Sequence, residues 1–401
     1  MTHADAQALD RADPLAPFRD RFSIPQGTIY LDGNSLGALP RSVAARTAKV
    51  VSEEWGRDLI TSWNRHDWID LPRRVGARIA PLIGAEPGSV VVADSTSLNI
   101  FKLLAVAVGR SDRRVIQTET GNFPTDIYIA GGLATLTGHE VRVDDLAVIR
   151  DDVAVVLVTE VNYRTGARHD MKALTARAHA AGATVIWDLC HSAGAFRVDL
   201  AGAGADYAIG CGYKYLNGGP GAPAFAYVAP RHLPGLRTPL SGWLGHAAPF
   251  AFAPDYQPAE GTDALRVGTP PVISMSALDA ALEAFDGVDL AAVRAKADAL
   301  FDVFAGEVGA RCPEFELLTP RDAGSRGTQV SLRHPEAYAI MQALIARGVI
   351  GDFRQPDIMR FGLTPLYLRF EDVFRAAEIL AEVMATRAWD RDAFKRKAKV
   401  V

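Results

Sequence analysis

The chain has 401 residues, 49% hydrophobic and 22% charged, with a net charge of -4 and a pI near 6.2. That balance implies a large core and two domains, and it excludes the basic field that a nucleic-acid partner requires. No stretch approaches the roughly 20 apolar residues that span a bilayer, MTHADAQALDRADP carries no apolar leader, and Cys190, Cys211 and Cys312 are too scattered for a zinc cluster or a disulfide framework, so a cytoplasmic protein with reduced thiols and no bound metal is expected.

In chain order, the first 50 residues show no sheet pattern of their own and are expected to pack on the C-terminal domain or on a partner subunit. SVVVAD (89–94) reads as a strand leading through STS into a helix over LNIFKLLAVAV; RRVIQTE and HEVRVD follow as short strands. The next unit is the clearest. DVAVVLVTEV (152–161) is a continuous apolar run, MKALTARAHAAG is a helix ended by Gly182, and TVIWDL (184–189) and DYAIG (206–210) are two further strands. Apolar strands alternating with helices predict a mainly parallel sheet covered on both faces. Ligands gather at the C-terminal ends of such strands, where Asp188, His191 and Lys214 fall. From about residue 274 one long helix is expected over MSALDAALEAFDGVDLAAVRAKADALFDVFAGEV, then strands at FELLTP and TQVSLRH, a helix at EAYAIMQALIARG, a strand near VIGDFR and a last helix from Glu371. The expected organisation is an N-terminal segment (1–50), a large domain (51–273) and a smaller α+β domain (274–401).

GCGYKYLNGGPG (210–221) sets Lys214 between two tyrosines in a glycine-rich turn behind a buried strand. Partial loss of solvation there favours the neutral amine that attacks a carbonyl. Pyridoxal phosphate (PLP) is the cofactor that most often needs such a lysine, and it also needs an acid at its pyridine nitrogen, donors for its phosphate and a surface for its ring. Asp188 ends the strand TVIWD, Thr96 and Ser97 open a helix where an anion is favoured, and Phe123 in GNFPTD offers a ring surface that Asp126 and His191 can flank. Taken singly, each has a plainer reading: a turn aspartate, a helix cap, a core phenylalanine. Together they form a layout. An aspartate strand followed 26 positions later (214 - 188) by a lysine at a strand end, with an STS helix start upstream, is the arrangement of fold-type I PLP enzymes.

YLDGNSLGALP (30–40), ADSTSLNIFK (93–102), GNFPTDIY (121–128), WDLCHSAGA (187–195), GCGYKYLNGGPG, GWLGH (242–246), GTPPVISM (268–275) and RFGLTPLY (360–367) occur in the order of the bacterial kynureninases, a family that the chain resembles from about residue 30 to 375. GNSLG and YKYLN together separate this family from most other fold-type I enzymes. The resemblance implies an α/β, fold-type I PLP-dependent transferase fold, aminotransferase class V-like, with a mainly parallel, seven-stranded sheet in the large domain and a smaller α+β C-terminal domain. It implies hydrolysis of L-kynurenine to anthranilate and L-alanine in tryptophan catabolism, on the kynurenine pathway toward NAD biosynthesis, with 3-hydroxykynurenine as a further substrate.

The resemblance also assigns roles. Lys214 carries the cofactor and moves the α proton, Asp188 pairs with the pyridine nitrogen, Phe123 stacks on the ring, and Thr96, Ser97 and Tyr213 hold the phosphate, Tyr213 doubling as a proton donor. Asp126, Thr159 and His191 complete the cofactor shell, while Trp243 and Thr269 correspond to residues supplied by a second subunit, so a homodimer is expected. Arg360 is expected to grip the substrate carboxylate with its two-pronged guanidinium, Asn34 of GNSLG to bind substrate, and Trp63, or alternatively His66, to meet the aryl ring. Thr269 and SWNRHDW match the bacterial type more than the animal type that accepts a 3-hydroxyl.

Rival readings are weaker. A cysteine desulfurase needs a reactive cysteine, and Cys312, between a helix and a strand, reads as structural. An aminotransferase shares the lysine, aspartate and arginine and differs in converting the cofactor to its amine form. A PLP-binding regulator lacks support from any helix-turn-helix or basic segment, and the glycines at 218, 219 and 221 do not follow the first strand of a nicotinamide-binding unit.

Overall fold

A computed structural model describes residues 1–398, which divide into a sheet-bearing unit of residues 43–162 and 169–282 and a second unit built from residues 1–42, 163–168 and the chain from Glu283 onward. In the first unit, β1 (Val90–Val92), β2 (Val115–Thr118), β3 (Glu140–Val143), β4 (Val153–Thr159), β5 (Thr184–Asp188), β6 (Tyr207–Gly210) and β7 (Phe225–Val228) form one sheet in the order β1-β7-β6-β5-β4-β2-β3. Every neighbouring pair is parallel except those that β7 makes with β1 and β6. All seven residues of β4 are buried, as a strand covered on both faces requires, which is why it is a continuous apolar run in the sequence. β7 was not foreseen: its four residues sit behind the glycines and prolines of 218–223, where turn signals mask a short run.

Helices α1 (Thr96–Val108), α2 (Pro124–Thr137) and α3 (Met171–Ala180) alternate with these strands. α1 drives Ile100, Leu103, Leu104 and Ala107 into a core with Leu157, Ile186 and Ile209. Its start is fixed by Ser95, whose hydroxyl accepts the Leu98 N–H at 3.4 Å, and α3 starts in the same way at Asp170, which accepts from Ala173 at 2.9 Å. These caps set where each helix begins at the C-terminal edge of the sheet.

In the second unit, β8 (Glu316–Leu317), β9 (Gln329–Arg333), β10 (Asp352–Arg354) and β11 (Ile358–Gly362) form an antiparallel sheet in the order β10-β11-β9-β8, with α4 (Leu290–Arg311), α5 (Ala337–Ile345) and α6 (Phe370–Ala385). Residues 1–42 belong to this unit, whereas 43–50 of the expected N-terminal segment fall in the sheet-bearing one: Asp10 caps α6 by accepting the Phe370 and Glu371 amides at 2.6 and 3.1 Å, and Ile29–Tyr30 pairs parallel with Val349–Ile350. Two paired residues are too few to leave a strand pattern. The single long helix expected from residue 275 is instead two helices, Val272–Ala281 and α4. Gly287, at φ +74°, takes a left-handed turn that continues no helix, and Asp289 starts α4 by accepting the Ala291 N–H at 2.8 Å.

Candidate active site

β6 ends at Gly210 and the chain then folds back on itself, Gly218 donating to the Gly212 carbonyl at 2.9 Å and Asn217 to the Lys214 carbonyl at 2.8 Å. Two glycines permit the turn. A Cβ on Gly210 would lie 2.4 Å from the Phe225 ring, and one on Gly212 would lie 2.4 Å from the Pro223 carbonyl oxygen. The turn holds Lys214 half-buried with its Nζ 3.0 Å from Nε2 of His191, itself placed three residues beyond the end of β5.

β4 and β5 end side by side, Thr159 lying opposite Asp188 in the parallel register. Asp188 is buried and accepts the Cys190 N–H at 2.7 Å, while the Thr159 hydroxyl donates to Asn122. Asp126, in the first turn of α2, is 1% exposed and neither of its carboxyl oxygens has a hydrogen-bond partner. Burial pushes the Asp126 carboxyl well above its ordinary range, with the Asp188 charge adding to the rise and Lys214, then the nearby Thr159 and Asn122 side chains, too distant or misaligned for good hydrogen bonds, opposing it. Burial also raises Asp188, against the Cys190 hydrogen bonds and the Lys214 charge. Two buried carboxyls against one lysine leave the cluster short of positive charge.

At the start of α1 opens a cleft of about 650 Å³ whose lining includes Asp94, Thr96, Ser97 and Tyr213. Ser95 serves the Leu98 amide, and the Thr96 and Ser97 N–H groups at the helix start, with their hydroxyls beside them, suit an anion. Thr96 Oγ1 lies 3.8 Å from the Cys190 sulfur, which ties this helix start to the turn after β5. The Tyr213 phenol is driven upward by burial and then by Cys211, Cys190 and Asp188, so it keeps its proton.

The remaining expected residues of this unit are placed differently. Phe123 stands at the N-cap of α2 and is 40% exposed, so it is not a core residue. Trp243 packs edge-on against Phe250 with ring centres 5.7 Å apart, and Thr269 lines a small crevice beside Asp94. Trp63 is edge-on to Trp68 at 6.0 Å, and His66 is engaged by Asp58 at 2.8 Å.

In the second unit Arg360, on β11, is 1% exposed and faces Asp352 across the ladder. Its Nε donates to Asp352 at 2.7 Å, Nη2 donates to Asp352 and, at 3.0 Å, to the Ser35 hydroxyl, and Nη1 donates to the Tyr163 carbonyl at 2.6 Å. The two-pronged face expected for a ligand is therefore filled by Asp352; of the five guanidinium N–H donors, one on Nη1 is left. Asn34 is fully buried with both amide atoms unpaired. Asp32 is pushed up to about 8 by burial and then by the Asp352 charge, with Arg360 opposing. Asp352 goes the other way: burial resists its ionisation, but the Arg360 hydrogen bonds and charge hold it below its ordinary value. Asp32, Ser35 and Asp352 were not anticipated. The signal available for Asp352 was the hairpin DFRQPDIMR, which pairs it with Arg360.

Residues 293–380 match the model of the kynureninase C-terminal domain. Over 413 aligned residues the chain is 51% identical to a kynureninase of Burkholderia pseudomallei, covering all of this chain and 99% of that protein. It is 56% identical over 393 residues to a kynureninase of Deinococcus radiodurans, covering 95% of this chain and 96% of that one. The chain belongs to the kynureninase family. Solved structures of the same fold include the cysteine desulfurase CsdA of Escherichia coli, at a TM-score of 0.77 and 20% identity over 93% of this chain and 98% of that one. A C-DES variant with glycine covalently linked to its PLP cofactor follows at 0.75 and 17%, over 90% and 98%. At such identities these likenesses establish the fold-type I architecture alone. Nothing of a desulfurase thiol appears at Cys312, which is 1% exposed and pushed up to about 11 by burial, the reverse of a reactive cysteine. Among the described residues no helix is long and apolar enough to cross a membrane.

Proposed function

We propose that the chain is a PLP-dependent hydrolase that cleaves L-kynurenine to anthranilate and L-alanine. Membership of the kynureninase family over nearly the whole chain supports the reaction. The observation that carries the cofactor is the charge shortfall around Lys214: Asp126 and Asp188 are both buried, and burial raises both. A protonated pyridine nitrogen is the kind of partner that makes up such a shortfall. The start of α1 suits a dianionic phosphate, and Phe123 is exposed enough to take a ring face.

When bound, PLP supplies an electron sink for the pair left at the α carbon. The other roles belong to the chain. Lys214 holds the cofactor and takes the α proton, and His191, 3.0 Å from its amine, orients it. Asp188 would pair with the pyridine nitrogen, with the buried Asp126, Thr159 and Asn122 around it. Tyr213, whose phenol keeps its proton, steadies the phosphate with Thr96 and Ser97 and donates a proton during cleavage. Arg360, through its remaining N–H, and Asn34, through its unpaired amide, take the substrate carboxylate; Trp63 takes the aryl ring. Trp243 and Thr269 serve the cofactor of a second subunit, which makes the working unit a cytoplasmic homodimer.

Anthranilate fluorescence after mixing the PLP-loaded protein with L-kynurenine tests the reading, with Lys214→Ala beside it. Release by the native protein alone is expected. A native protein that holds lysine-bound PLP yet releases no anthranilate overturns it.

A further inference from the structure

The cleft at the start of α1 contains a charge that does not belong in a phosphate site. Among the described residues, Asp94, two residues beyond β1 and next to the Ser95 cap, is the one charged side chain in its lining, and that side chain is 26% exposed. A carboxylate beside a dianion costs binding energy in proportion to its unscreened charge. The structure supplies a counter-charge from behind. Lys102, one and a half turns along α1 and 0% exposed, directs its ammonium back to the Asp94 carboxylate. The same ammonium donates to the Leu265 carbonyl at 2.7 Å and to Asn99 Oδ1 at 3.4 Å, and Asn99, also fully buried, donates to the Ala93 carbonyl at 2.9 Å.

Asp94 needs this hold for a second reason. Its φ is +49°, a left-handed conformation disfavoured for a residue with a side chain, and its carbonyl is pinned by the Ala224 amide at 2.9 Å. The turn aims the next three residues, Ser95 to cap the helix and Thr96 and Ser97 into the cleft. We propose that Lys102 is a positioning residue for the cofactor phosphate: without touching it, the buried ammonium neutralises Asp94 and fixes the turn that presents Thr96 and Ser97. The inference rests on the PLP reading above. Burial draws the Lys102 amine below its ordinary value and Asp94 opposes that fall, so the two charges depend on each other.

The test compares PLP with pyridoxal, which has the same ring and aldehyde but no phosphate. The full-length protein is freed of cofactor and titrated with each, following the absorbance of the lysine-bound form. Lys102→Met is expected to weaken PLP binding roughly ten- to a hundred-fold while pyridoxal stays within about two-fold, since a unit charge freed near a dianion acts on the phosphate alone. Adding Asp94→Asn to that variant is expected to restore most of the lost PLP affinity. Asp94→Asn alone, which keeps the turn's shape and removes its charge, is expected to bind PLP at least as tightly as the native protein, and it answers the question even where Lys102→Met does not fold. Equal losses for PLP and pyridoxal or an unchanged PLP affinity in Lys102→Met, no recovery in the double variant, or a PLP-selective loss in Asp94→Asn would each overturn the role of Lys102 while leaving the cofactor reading intact. A native protein that binds neither compound overturns both.

Discussion

Asp32→Asn is the substitution whose effect follows most directly from the structure. Asp32 shares a buried cluster with Asp352, Arg354 and Arg360, and its carboxyl rises from 3.8 to about 8. Between those values the native state holds a proton on Asp32 that the unfolded chain does not hold, so stability falls as pH rises and the contribution is gone above about 8. At about 1.4 kcal/mol per pH unit, tapering as the carboxyl begins to ionise, the loss between pH 6 and pH 8 is about 2 kcal/mol. Asparagine copies the protonated form and cannot ionise. Asp352, held below its ordinary value, does not titrate in this window. Urea unfolding of the native protein and of Asp32→Asn at pH 6, 7 and 8, at one PLP concentration, should show the difference between them shifting by that amount, the variant gaining on the native protein as pH rises. Stability curves that stay parallel across this range would refute the account. The same charge count predicts a functional effect: with Asp32 protonated the four groups carry a net charge of +1, and with it ionised, zero. KM for the amino-acid substrate should therefore rise above pH 8 in the native protein and less so in the variant.

Other substitutions test separate parts of the structure. Gly212→Ala sets a Cβ 2.4 Å from the Pro223 carbonyl oxygen, so the turn carrying Lys214 must move; kcat/KM should fall at least about ten-fold, a misplacement effect. Cys312→Ala should leave kcat unchanged and cost about 1 kcal/mol in denaturant unfolding, the size of a small buried cavity; a lost activity would revive the desulfurase-like reading. Asp289→Ala removes the cap of α4 and should cost about 1 kcal/mol without altering PLP affinity, because the cap acts within the second unit.

Much of the fold was legible because its central strands obey a local rule. A strand buried on both faces must be apolar throughout, so β1, β4 and β5 can be read directly from SVVVAD, DVAVVLVTEV and TVIWDL. What was missed depends on contacts between distant segments. β7 is a strand because Phe225 closes over Gly210, and residues 163–168 join the second unit although no composition change marks the excursion. The break before α4 was visible in FDGVD, but helical periodicity on both sides carried the reading across a glycine and a cap that should have stopped it.

The site divides along the same line. Residue types at strand ends and helix starts singled out Lys214, Asp188, Thr96 and Ser97, because chemistry restricts which side chains those positions can use. Charge balance is a different quantity, a sum over groups that only the fold brings together. Asp126 and Asp188 are 62 positions apart (188 - 126), and although the motifs bring both to one cofactor, neither says that both carboxyls are buried and raised beside a single lysine. Arg360 shows the converse. Its motif names a carboxylate-binding guanidinium, yet the fold gives its two-pronged face to Asp352, eight residues earlier in the same hairpin. In the proposed site, what that ion pair leaves over for a substrate carboxylate is one N–H, the Asn34 amide and the net charge that Asp32 sets by keeping or losing its proton. Electrostatic control of such a site lies in residues to which the motifs assign no role, which is why Asp32 and Lys102, rather than the residues given roles, are the more informative positions to alter.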